Sequence, residues 1–302
     1  MRLYRYVKAL ESKKYEECEE NSEKPEISQK LKTTIRESKL FFSHPASFND
    51  PLECTLPVTI ENYDIHSEKY LKYIESVIDK RIGSRADASE RRKRIDEAIE
   101  YGIPIENCLV TCFTKDGNNQ LMWSHYADQN KGVCLCYEIP DKPDEFKRQI
   151  KWSYQSSLFI NDFKLWFHEE AVTYQIKRPS LHISNTSCSV GEWKVDNGYT
   201  LKDAIFTKTK CWEYEHEWRL ALILPIGGKV AFAAGIDTSD YYAILPKKWL
   251  KEITFGLRLE DEHCKEIKGI FRESGYTNVE FKKAKMAHNE FRIVSKPCFK
   301  TG

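Results

Sequence analysis

Alternation of apolar and polar positions dominates the chain. Leu3 to Tyr6 is short, aromatic and alternating, which predicts a strand, because successive strand side chains point to opposite faces. Residues 39–43, 109–114, 132–139, 220–224, 230–232, 242–245, 253–255, 279–281 and 291–294 read as further strands. Helical spacing appears elsewhere. Residues 7–38 are polar and helical in character, with Leu31 and Ile35 on one face. In residues 61–101, Tyr70, Ile74, Val77 and Ile78, then Ile95, Ala98 and Ile99, follow the helical period. A basic stretch, 80–94, lies between those groups and reads as a solvated helix face, with nucleic-acid gripping the lesser alternative. Residues 120–127 predict a short helix, and 261–275 an amphipathic helix stopped by a glycine. Pro45, Asn49, Asp50 and Pro51 mark a turn, and 185–189 a polar loop. The stretch 150–205 is aromatic-rich and mixed, with some helix expected. No repeat, low-complexity tract or proline/glycine-rich linker divides the chain. The pattern predicts one α+β domain over residues 1–302, a curved, mainly antiparallel sheet with a helical insertion at about 61–101.

Composition narrows the classes of function. Forty-seven basic residues against 46 acidic ones leave a net charge of +1, which argues against binding to nucleic acid or membrane by bulk charge. No apolar run is long enough for a membrane span or a signal peptide, so a cytoplasmic protein is expected. Ten cysteines contain no CxxC pair, so reduced core thiols are favoured over a zinc site and no metal is expected. Aromatic residues make up 13% of the chain, enough to supply both a core and stacking surfaces.

Candidate chemistry centres on Trp212-Glu213-Tyr214-Glu215-His216-Glu217-Trp218-Arg219, which runs into the apolar residues 220–224. Read as a strand, it puts Glu213, Glu215 and Glu217 on one face, followed by Arg219. Unpaired carboxylates are costly to bury. These are therefore either salt-bridged or reserved for chemistry. Three other clusters mix rings with hydrogen-bonding groups: Tyr4-Arg5-Tyr6; Phe48-Asn49-Asp50-Pro51 with Ser43 just before it; and Met122-Trp123-Ser124-His125-Tyr126-Ala127. A flat, charged, nucleotide-like ligand needs that mixture, with rings to stack and Arg, Ser or Asn to hold phosphate and ribose.

These elements in this order (a Tyr-Arg-Tyr start, LFFSHPASFNDPLE, LMWSHYADQNKGVCLCYEI and KTKCWEYEHEWRL) resemble the DUF2971 family of bacterial proteins from about Leu3 to Phe255. The layout is also similar to that of ADP-ribosyltransferases, which bind NAD in a split, curved sheet. That resemblance implies an NAD-consuming transferase acting as a toxin or antiphage effector. Its acceptor would be a protein or nucleic acid, and a partner defence protein is possible. It implies Arg5 on the pyrophosphate, Ser43 lining the nicotinamide pocket, and Glu217 as the carboxylate that stabilises positive charge developing on the ribose. Glu215 is then a second, acceptor-side base. Tyr6, Trp123 or Tyr126 would stack on the nicotinamide, and His125 would be an acid–base group or a ribose donor. Asn49, Asp50, Ser124 and Arg219 complete the expected binding set. Bland readings stand beside these. Glu217 and Arg219 can form a simple ion pair, Asn49-Asp50-Pro51 a structural turn, and Trp123 and Trp218 core. His125 can be a packed histidine. A non-catalytic nucleotide- or phage-protein sensor is the alternative function. A metal-dependent nuclease built on Asp50, Glu53, Glu215 and Glu217 is the third.

Overall fold

The computed structural model describes residues 1–11, 25–60, 67–68, 71–72, 74–75, 87–89, 92–93, 95–96, 103–104, 108–141, 149, 151–152, 166–179, 181–183, 201–223 and 242–298. The expected strand at 230–232 and the loop at 185–189 lie outside these residues. So does most of the 61–101 segment, whose described residues are mainly helical.

The fold is α+β, with a mixed, mostly antiparallel sheet. Leaving aside five short strands of two or three residues, its strands in chain order are β1 (Arg2–Val7), β2 (Lys39–Phe41), β3 (Cys108–Thr114), β4 (Val133–Glu138), β5 (Trp166–Ala171), β6 (Thr173–Gln175), β7 (Thr207–Thr209), β8 (Glu217–Ile223), β9 (Tyr242–Ile244), β10 (Leu250–Phe255), β11 (Glu280–Met286) and β12 (Ile293–Pro297). Eight of them form one sheet in the order β12-β11-β10-β4-β1-β3-β8-β5. Only β10 and β11 pair in parallel there, which suits the helix that connects them. That helix is α3 (Asp261–Glu273), preceded in the chain by α1 (Gln29–Glu37) and α2 (Gln120–His125).

Period-two alternation sorts the side chains onto two faces. On one, Leu3, Leu109, Phe113, Leu135, Trp218, Leu220 and Ile253 join a core with Leu31 and Ile35 of α1 and Ile267 and Phe271 of α3. The Leu31/Ile35 spacing expected from sequence therefore does bury one helix face, and Ser28 caps that helix by accepting from the Leu31 N–H. Tyr6, Met122, Trp123 and Cys134 pack together in a smaller cluster around α2. Cys54, Val110, Ile205, Phe206 and Ala221 form another.

The segment after α2 explains a distinctive sequence element. Asp128, Gln129 and Asn130 all have positive φ, and the Gly132 N–H donates to the Ala127 carbonyl at 2.7 Å. Asn and Asp tolerate this left-handed turn better than most residues. Gly132 is required there for space, since a Cβ would be driven into the Val7 carbonyl oxygen and within 2.8 Å of Ala127 Cα.

One feature of the sheet positions the site. Strands β1 and β3 are registered at a single pair, Tyr4 with Thr114. Further along β3, Ser43 takes the neighbouring place instead, exchanging two 2.8 Å hydrogen bonds with Val110. Between those two closures the strands separate.

The Gly132→Ala variant is expected to lose about 2 kcal/mol of stability, because backbone has to move. Gly269→Ala, in α3 with nothing within 4 Å of the added carbon, should gain about 1 kcal/mol. Urea unfolding of both variants checks this; equal effects would contradict the packing at Gly132.

Candidate functional site

The separation of β1 and β3 opens a cavity of about 170 Å³. Tyr4, Arg5 and Tyr6 line it from β1, and Val110, Thr111, Cys112 and Phe113 from β3. Ser43, Phe48, Asn49, Met122 and Tyr126 enclose it, and Glu53, Lys208, Glu215 and Glu217 also line it.

Those last four residues belong to a buried charge cluster completed by Arg219. The turn around Asp50 delivers Glu53: Asp50 Oδ1 accepts from the Leu52 N–H and Oδ2 from the Trp212 indole N–H, each at 2.9 Å. Strand β7 supplies Lys208, paired in parallel with Tyr174 of β6. A 3-10 turn, Lys210–Glu215, and the left-handed His216 lead into β8, which supplies Glu217 and Arg219. Lys208 Nζ lies 2.8 Å from Glu53, 2.5 Å from Glu215 and 3.1 Å from Glu217. Arg219 Nε donates to Glu217 Oε1 at 2.6 Å and Nη2 to Glu217 Oε2 at 3.1 Å. Nη2 also pairs with Glu53. No side chain of the five is more than 5% exposed.

Three carboxylates against two cations set the local proton affinities. Burial alone would raise Glu217, but Arg219 and Lys208 outweigh it and hold that carboxyl down to about 2. Glu215 goes the other way. Burial raises it, and Glu217 adds to the rise against the opposing pull of Lys208. Burial would lower Lys208, yet the three surrounding carboxylates raise it. Glu215 thus takes a proton more readily than Glu217, and its Oε1 already accepts from the Tyr126 hydroxyl at 2.7 Å.

The expected site residues divide. Arg5, Tyr6, Ser43, Asn49, Tyr126, Glu215 and Glu217 line one cavity. Tyr6 does so with its hydroxyl committed, donating to the Asp116 carbonyl at 2.9 Å and accepting from the Asn119 N–H. Five others do not line it. Asp50 holds the turn described above. Trp123 is fully buried, edge-on to Tyr6. Ser124 and His125 are exposed on α2, because a helix period that turns Met122 and Trp123 inward turns the next two residues out. Arg219 lies behind Glu217 as its ion-pair partner. The single-strand reading of residues 212–219 is corrected too. Glu213 and Glu215 belong to the 3-10 turn, the strand begins at Glu217, and Glu213 pairs outward with Lys210. Glu215 and Glu217 converge because Lys208 draws them together. Three of the four carboxylates proposed for a nuclease also converge, on Lys208 and Arg219, and Asp50 is engaged elsewhere. No group of three or more metal-ligating side chains occurs among the described residues.

Sequence reasoning missed Lys208 as the hub and Thr111 as a lining group. Lys208 follows the apolar Ala204-Ile205-Phe206, a signal that its stem would be buried. Thr111 Oγ1 is buried with no hydrogen-bond partner. Such a hydroxyl on a cavity wall is available to a bound molecule.

Comparison with known proteins finds a family resemblance in the middle of the chain. Residues 122–220 match the family DUF2971, described as "Protein of unknown function (DUF2971)". The match covers about a third of the chain. No curated protein and no solved structure matches it. The matched segment contains α2 from Met122 onward, Lys208, Glu215, Glu217 and Arg219. Arg5, Ser43 and Glu53 reach the site from the chain before it. Among the described residues, no helix is long and apolar enough to cross a membrane.

Replacing Arg219 by Met should cost roughly 3–5 kcal/mol, since it strands buried carboxylates. Because the folded-state value of Glu217 lies below the ordinary 4.5, its stabilisation is complete above pH 4.5 and is lost as pH falls towards about 2. Chemical denaturation across pH 2–7 should show that loss in wild type and a reduced one in Glu217→Gln; identical pH profiles would contradict the ion-pair assignment.

Proposed function

We propose that the chain is an NAD-consuming enzyme of the ADP-ribosyltransferase type, holding the nicotinamide–ribose end of NAD in the cavity between β1 and β3. The observation that carries this reading is that Arg5, Ser43 and Glu217, far apart in sequence, line one cavity. Aromatic walls at Tyr4, Phe48 and Phe113 offer faces to a flat ring. The unpartnered Thr111 hydroxyl offers a hydrogen bond to a carboxamide. The cluster carries an excess of negative charge, and breaking the nicotinamide–ribose bond develops positive charge on the sugar, which fixed carboxylates stabilise. A volume of about 170 Å³ suits one ring and a sugar face, smaller than the several hundred Å³ of a site that takes a drug-sized ligand whole. The adenylate half would therefore lie outside, and the Arg5 guanidinium, which donates to the Phe41 carbonyl at 3.3 Å, would be the fork that reaches a phosphate oxygen from the cavity wall. Consumption of NAD in this way suits a cytoplasmic toxin or antiphage effector.

A second reading, a nucleotide-binding sensor without turnover, is favoured by one specific observation. Both oxygens of Glu217 are already bonded, to Arg219 and Lys208, so a ribose hydroxyl would have to share them.

Incubating the purified chain with NAD, with and without cell lysate or nucleic acid, separates the two. Nicotinamide release, measured by chromatography, is expected from wild type and about 100-fold less from Glu217→Gln, with circular dichroism to confirm folding. NAD binding without release, insensitive to Glu217→Gln, would select the sensor. Absence of binding, release and label transfer would remove the NAD reading.

A further inference from the structure

Glu215 and Tyr126 form a hydrogen-bonded pair that the NAD reading leaves without a joint role. Tyr126 follows α2 directly and its hydroxyl donates to Glu215 Oε1 at 2.7 Å. The Asn49 side chain lies close to the same hydroxyl and favours its ionised form. A phenol oxygen has one proton and two lone pairs. With its proton on Glu215, Tyr126 keeps its oxygen lone pairs for a ligand. All three residues line the cavity. The other oxygen of Glu215 is anchored by Lys208 at 2.5 Å, so the carboxylate presents a fixed edge to the phenol. Glu217, by contrast, is held from both sides by cations. The geometry therefore divides the two carboxylates between tasks, with Glu217 fixed as an ionised carboxylate for the ribosyl cation and Glu215 free to exchange a proton with Tyr126.

We propose that Tyr126 and Glu215 form a proton relay that activates a neutral hydroxyl acceptor, either water or an alcohol, at the cavity. This rests on the NAD reading for its donor. The acceptor oxygen attacks C1′ of the ribosyl group and its O–H bond breaks. Its proton passes to Tyr126 Oη as the phenolic proton moves to Glu215 Oε1. The C1′–N bond breaks, and its electron pair leaves with neutral nicotinamide. Tyr126 ends unchanged, Glu215 ends protonated, and that proton then returns to solvent. Burial and the neighbouring Glu217 raise the proton affinity of Glu215, which suits it to the acceptor end of a relay. The groups facing Glu215 are Lys208 on β7, Glu217 on β8, Tyr126 after α2, Tyr174 on β6 and its own neighbour Tyr214. Glu53 acts through Lys208.

Tyr126→Phe keeps the ring and removes the relay. NAD affinity should stay within about threefold of wild type, and nicotinamide release should fall about 100-fold. The wild-type rate should drop on the acid side as Glu215 becomes protonated, and that limb should vanish in Tyr126→Phe. Free ADP-ribose as product would identify water as the acceptor, and an ADP-ribosyl ether adduct an alcohol. A second measurement needs no turnover. Carbon-13 titration of glutamate carboxyls in the full chain, with Glu215 assigned by Glu215→Gln, should put Glu215 above 4.5, and higher again in Tyr126→Phe, since the phenol bond favours the ionised form. Unchanged rate and pH profile in Tyr126→Phe, or a Glu215 titration indifferent to that substitution, would overturn the relay. A raised and Tyr126-sensitive Glu215 in a protein that leaves NAD intact would support the pair and sink the NAD reading instead.

Discussion

The arrangement around the cavity depends on one buried ion cluster. Lys208 and Arg219 would each be prohibitively costly to bury alone, as would Glu53, Glu215 and Glu217. Together they neutralise one another almost completely, and the cost of desolvation becomes a demand for geometry. The Asp50 turn, strand β7, the 3-10 turn and strand β8 must all arrive in the same place. Such a cluster is weak as a source of stability and strong as a specification of which segments meet. Its residual negative charge, and the sharing of its two cations among three carboxylates, also set the different proton affinities of Glu215 and Glu217.

The cluster would be a purely structural device if the sheet beside it were continuous. Strand β1 leaves β3 after the Tyr4–Thr114 pair, and Ser43 closes the ladder again at Val110. The gap leaves strand groups without the partner a neighbouring strand would supply, among them the buried Thr111 hydroxyl. A split of this kind turns backbone that belongs in a core into the wall of a site, and aromatic side chains on both strands supply its apolar lining. The α2 segment then brings Tyr126 over the gap, held by the Asn119 cap that also grips the Tyr214 carbonyl at 2.6 Å.

Much of the fold was legible along the chain because it is written in two short periods. The alternating strands at 109–114, 132–139 and 253–255 appear within a few residues of the expected bounds, as does the helix stopped before Gly275, whose φ is positive. Residues 212–217 were misleading for a physical reason. Alternating rings and carboxylates mimic a strand, whereas the backbone is a 3-10 turn that ends at a left-handed His216. Helical phase was the second source of error. Adjacent residues in the Trp123-Ser124-His125-Tyr126 run face different directions, so only Tyr126 of the four lines the cavity.

The sequence by itself determined the strand and helix content, the helix faces that are buried, the turn at Asp50, and the resemblance of residues 122–220 to the DUF2971 family. It also supplied the residues whose convergence matters, since Arg5, Ser43, Glu215 and Glu217 were all visible as polar groups set among rings. Only the tertiary structure decided which of them meet. Lys208 became the hub because four separate segments direct charges to one buried point, a fact of long-range pairing that no local period records. For the same reason Arg219 proved to be the partner of Glu217 behind the cavity, and Glu215 the carboxylate in contact with Tyr126.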